Sequence, residues 1–105
     1  MTKNDKDKIL NFTKIIIKKI DDLKFVQSSE ACEIVEMLDK LEDYLIDEKG
    51  YKTKFKEDIR YLRYLMWSMA AAAFDGQGYY QKIALKHIRT LRDKLRRLKI
   101  ESERS

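Results

Sequence analysis

Proline is absent from this chain, and its 105 residues hold only three glycines, Gly50, Gly76 and Gly78. Proline breaks a helix interior by removing a backbone donor and clashing with the preceding turn, and glycine weakens one through backbone entropy. With neither inside them, long helices run unbroken and loops are few. Apolar residues then recur at spacings of three and four in four separate segments, the period of a helix that buries one face. The chain is 44% hydrophobic and 39% charged, which suits helices with one apolar stripe and a densely charged outer side. An all-α chain is the expectation, and at this length it forms one domain, residues 1–105.

The spacing predicts helices over about 5–24, 29–49, 54–74 and 79–100. In the first, Ile9, Phe12, Ile16, Ile20 and Leu23 form the stripe, with Asn4 or Thr2 as cap. Ile15, Ile16 and Ile17 are β-branched, but the longer period around them favours helix. Ser28 or Ser29 caps the second helix, whose stripe is Ala31, Ile34, Leu38, Leu41 and Leu45, and Gly50 stands where a C-terminal cap belongs. The third carries Phe55, Ile59, Leu62, Met66, Met69 and Ala73. Its other faces also turn apolar from Tyr61 onward, through Tyr64, Leu65, Trp67 and Ala70 to Ala72. Such a helix is central to the core or lies at an interface. On the first of these readings Trp67 is buried, with blue-shifted emission; solvent-like emission would make the apolar excess an exposed binding patch. Asp75 to Gly78 is the clearest turn, and the fourth stripe is Tyr80, Ala84, Ile88, Leu91, Leu95 and Leu98. Four helices joined by short turns imply an up-down-up-down antiparallel four-helix bundle.

Charge is divided unevenly along this pattern. Residues 28–50 carry eight acids against Lys40 and Lys49, a net charge of −6, while residues 76–105 carry nine bases against three acids, a net charge of +6. If the second and fourth helices lie on a diagonal, the basic surface stays available to a partner. If they touch, the asymmetry is internal compensation. The basic candidates are Lys82, Lys86, Arg89, Arg92, Arg96 and Arg97 on the fourth helix, with Arg60 and Arg63 on the third. Arg60 to Tyr64 alternates arginine with tyrosine, which suits phosphate pairing, base stacking or a protein interface. Tyr61, Tyr64, Trp67 and Ala71 are the candidate interface residues. A solvated cationic face whose long stems shield the core is the plain alternative.

Catalytic and metal-binding patterns are sparse. One histidine excludes a multi-histidine zinc site, and Gly76-Gln77-Gly78 follows a helix rather than a strand, unlike a phosphate loop. His87 reads as a boundary histidine bonded to backbone or a tyrosine hydroxyl; an acid–base role would need a partner within reach. Cys32, the sole cysteine, cannot form an intramolecular disulfide and reads as a small structural residue of a reducing compartment. Glu30, Glu33, Glu36 and Asp39 follow the solvent side of their helix, and the Glu-x-x-His pair of di-metal bundles is missing. No metal, cofactor or small-molecule substrate is implied. The polar first residues lack the apolar run of a signal peptide, and Leu65 to Phe74 is far short of the ~20 residues of a spanning helix, so a cytoplasmic location is expected.

In size, charge and helix count the chain resembles the enterocin-type bacteriocin immunity proteins, which are small basic four-helix bundles. The resemblance is architectural and carries over no site residue. The expected function is a non-enzymatic interaction module that binds a protein partner as inhibitor, accessory subunit or immunity-type factor, or pairs with itself as a homodimer. In the self-paired form, the acidic helix of one copy would face the basic helix of the other across a two-fold. The alternative is a nucleic-acid-binding bundle that uses the basic face of the fourth helix and the Arg/Tyr segment of the third.

Overall fold

Four helices account for the periodicity: α1 (Lys3–Asp21), α2 (Ser28–Tyr44), α3 (Tyr51–Ala71) and α4 (Gln77–Arg96). The computed structural model describes residues 2–24, 28–45, 51–72 and 76–98, and no strand occurs among them. The Gly50 cap, Ile46, Ala73, Asp75 and the tail from Lys99 onward lie outside the described residues.

Each stripe expected from the spacing turns inward. Ile9, Ile16 and Ile20 of α1 meet Ala31, Ile34, Leu38 and Leu41 of α2 in one connected core. Phe55, Ile59, Leu62, Met66 and Met69 of α3 join Ala84, Ile88, Leu91 and Leu95 of α4 in the same core. Three stripe members, Phe12, Leu23 and Tyr80, are only partly buried. The stripes missed two core positions: Leu65 and Thr13 are both fully buried, and the Thr13 hydroxyl donates to the Ile9 carbonyl at 2.8 Å. That local bond satisfies the hydroxyl without a partner from another helix.

Helix ends differ from the expected bounds in a consistent way. Thr2, not Asn4, caps α1, its Oγ1 accepting the Asp5 N–H at 3.0 Å. In α1, α2 and α4 the helix stops before the last stripe residue. Leu23, Leu45 and Leu98 lie just past α1, α2 and α4, and their N–H groups donate back to Ile20, Glu42 and Leu95 in i→i−3 bonds. A tight last turn of this kind uses orphan carbonyls while the leucine still reaches the core. Apolar spacing marks buried side chains, not backbone bonds, so it overran these ends. At the other end α3 begins at Tyr51, about one turn early, because nothing after Gly50 breaks a helix. Likewise α4 begins at Gln77, with Gly76 as its cap residue, so Gly78 belongs to the first turn rather than to a loop.

Packing is pairwise: α1 lies against α2 and α4, and α3 lies against α2 and α4. At both ends of the α1–α4 pair one helix caps the other. Lys6 Nζ, early in α1, donates to the Leu98 carbonyl beyond α4 at 2.8 Å. Gln81 Nε2, early in α4, donates to the Ile20 and Leu23 carbonyls at the end of α1, at 2.8 and 3.0 Å. The Leu98 and Leu23 carbonyls lie past the helix ends and gain a donor in this way, while the Ile20 carbonyl, already reached by the Leu23 N–H, gains a second.

Leu38→Ala and Ile88→Ala should each cost about 2–5 kcal/mol in urea unfolding. Gln81→Ala should cost about 1 kcal/mol through the carbonyls it strands. Lys82→Ala should change stability by no more than about 0.5 kcal/mol. An equal loss at Lys82 and Ile88 would contradict the orientation of α4.

Candidate interaction surface

Rotation of α3 about its axis is fixed by two kinds of contact. The buried stripe faces the core, and Arg63 reaches sideways to α2. Its Nε donates to Asp39 Oδ1 at 2.8 Å, with Nη2 2.6 Å from the same oxygen and 3.5 Å from Glu42 Oε2. Arg63 is only about a quarter exposed, so a residue expected on the free basic surface is instead committed to holding α3 against α2.

With that side fixed, the opposite side of α3 faces outward. Tyr61, Tyr64 and Trp67 are 41, 60 and 45% exposed, and Ala71 is exposed in line with them. The expectation that Trp67 is buried is therefore corrected: Leu62, Leu65, Met66 and Met69 fill the core side and leave no room for it there. Tyr61 and Tyr64 stack at 6.2 Å between ring centroids. Tyr61 also meets the His87 ring edge-on at 4.8 Å, which ties the aromatic face to α4. Tyr79, 67% exposed at the start of α4, is a further outward aromatic that the spacing did not single out.

His87 does not bond a backbone group or a tyrosine hydroxyl. Its Nε2 is buried 3.4 Å from Asp58 Oδ1, outside hydrogen-bond geometry. Lys94 occupies the same carboxylate, at 3.3 Å. The Thr90 hydroxyl, one turn on from His87, is taken by the Lys86 carbonyl at 2.9 Å. Cys32 is exposed on α2, with Sγ 3.8 Å from Glu36 Oε1. Among the described residues no cluster of His, Cys, Asp or Glu could hold a metal ion, and no helix is long and apolar enough to cross a membrane.

The remaining cations divide into engaged and free. Arg60 pairs with Glu57 on its own helix at 3.7 Å. Arg92 and Arg96 share Asp93, at 3.4 and 3.6 Å. Lys82, Lys86, Arg89 and Arg97 are exposed and have no ion-pair partner among the described residues. Three acids of α2 are answered from α1 and α3: Glu33 by Lys19, Asp39 and Glu42 by Arg63. No ion pair joins α2 to α4 among the described residues, and neither packs on the other as a neighbour.

The chain matches no family model, no curated protein and no solved structure. What the surface can do follows from its own chemistry. One side of α3 offers aromatic area of the kind enriched at binding hot spots. The outer side of α4 offers uncompensated positive charge.

Arg63→Ala should lower stability by about 1 kcal/mol and Arg60→Ala by less than about 0.3 kcal/mol. A double-mutant cycle with Asp39→Ala should return a coupling of about 0.5–1 kcal/mol. Zero coupling would remove the clamp between α2 and α3.

Proposed function

We propose that this chain is a non-enzymatic interaction module that binds a protein partner on the outer face of α3. The observation that carries the reading is the aromatic face itself: Tyr61, Tyr64 and Trp67 stay exposed on one side of a helix whose other side is buried. Leaving this much aromatic surface in water is unfavourable, and tyrosine and tryptophan supply contact area at low entropic cost once a partner covers them. Ala71 continues the face with little bulk, which favours close approach.

The helix order is taken as up-down-up-down, which the contacts at both ends of the α1–α4 pair support. In such a bundle α2 and α4 are diagonal. An acidic α2 facing a basic α4 of another copy then gives a head-to-tail contact, which does not close as a two-fold pair. A homodimer would instead pair α3 with α3. A partner of a different sequence fits an inhibitor, accessory subunit or immunity-type factor, which acts by occupying its target.

The test is a photo-crosslinking phenylalanine placed at position 64, compared with one at position 36 on the outer side of α2, in cells that express the chain. One discrete adduct from position 64 alone is expected, weakened about tenfold or more by Trp67→Ala. Equal, diffuse labelling from both positions would refute the reading, and an adduct of twice the chain mass would identify the partner as a second copy.

A further inference from the structure

We infer that the outer stripe of α4, with Lys14 of α1 beside it, binds the phosphate backbone of a single-stranded nucleic acid. This surface is distinct from the aromatic face of α3. Tyr79, Lys82, Lys86, Arg89 and Arg96 follow one another at spacings of three, four, three and seven, so they stand in one row along the helix. At 1.5 Å per residue the cations from Lys82 to Arg96 span about 21 Å, with Lys82, Lys86 and Arg89 about one turn apart and Arg96 two turns further on.

Three observations favour a phosphate chain. First, Lys82, Lys86 and Arg89 have no acid partner among the described residues, so their charge is not used within the fold. The row contains one acid, Asp93, held between Arg92 and Arg96. Second, the row borders a cleft of about 270 Å³ between α1 and α4, lined by Leu10, Asn11, Lys14, Arg92 and Arg96. Lys14 adds a further cation without an ion-pair partner there, and the Asn11 amide adds neutral hydrogen-bonding groups. Third, Tyr79 heads the row with two-thirds of its surface in solvent. An aromatic ring at the end of a cationic row suits base stacking beside phosphate contacts. Bases inside a duplex are already stacked and cannot use it, which favours a single strand.

The test is fluorescence anisotropy of a labelled oligothymidylate with the full chain, titrated from low to physiological salt. The expected slope of log K against log salt is about −3, for four phosphates at about −0.7 each. Replacing Lys82, Lys86 and Arg89 together by glutamine should make the slope shallower by about 2, with the urea midpoint unchanged. Tyr79→Ala should weaken binding about tenfold with the slope retained, since stacking is a non-ionic term. A duplex of equal length should bind more weakly at the same salt. Absence of binding at low salt would overturn the inference, as would binding that the glutamine variant leaves intact. Displacement of the oligonucleotide by polyglutamate at equal charge concentration would overturn it in favour of an acidic protein, and duplex binding as tight as single-strand binding would overturn its choice of strand.

Discussion

Each helix of this protein can bury one stripe, and that limit organises the rest of the structure. Apolar residues spaced by three and four give every helix a single inward side, and four such sides close one core around Leu38, Leu62, Met66 and Ile88. With 39% of residues charged, the remaining circumference of each helix must stay in water or pair across a seam. Lys19, Arg63 and Lys94 reach acids across the seams. Lys82, Lys86 and Arg89 on the outer row of α4 have no such partner among the described residues.

The seams differ in what holds them. Between α2 and α3 the chemistry is ionic, with Arg63 shared by two carboxylates. Between α1 and α4 it is capping, with a side chain from each helix finishing the other's C-terminal carbonyls. Both devices fix helix rotation, and rotation decides which side of each helix is left exposed. A turn of α3 by one position would carry Tyr64 or Trp67 toward the core and bring part of the buried stripe of Leu62, Leu65 and Met66 out into water. The aromatic face therefore depends on a polar contact located on a different side of the same helix.

Much of this was legible before the structure. The four stripes were read correctly because burial follows helical period, and the separation of an acidic α2 from a basic α4 was one of two arrangements the loop lengths allowed. Three things were not legible. Helix ends were overrun because Leu23, Leu45 and Leu98 are core residues beyond the last α-helical bond. The sequence left Trp67 between the interior and an interface, because composition reports how apolar a helix is, not which of two apolar sides is chosen. Arg63 was grouped with the free cations because its acid partners lie 21 and 24 positions away on another helix, and local spacing contains no trace of such a contact.

The exposure of the α3 aromatics is the point on which the proposed role turns. It can be measured by adding a soluble paramagnetic gadolinium chelate to dilute protein and following relaxation of the aromatic ring protons. Tyr61, Tyr64, Trp67 and Tyr79 should broaden strongly, while the fully buried Phe55 should be spared. If Tyr64 and Trp67 are protected as well as Phe55 is in the monomeric protein, α3 is rotated from the position described and its outer face is not the binding surface.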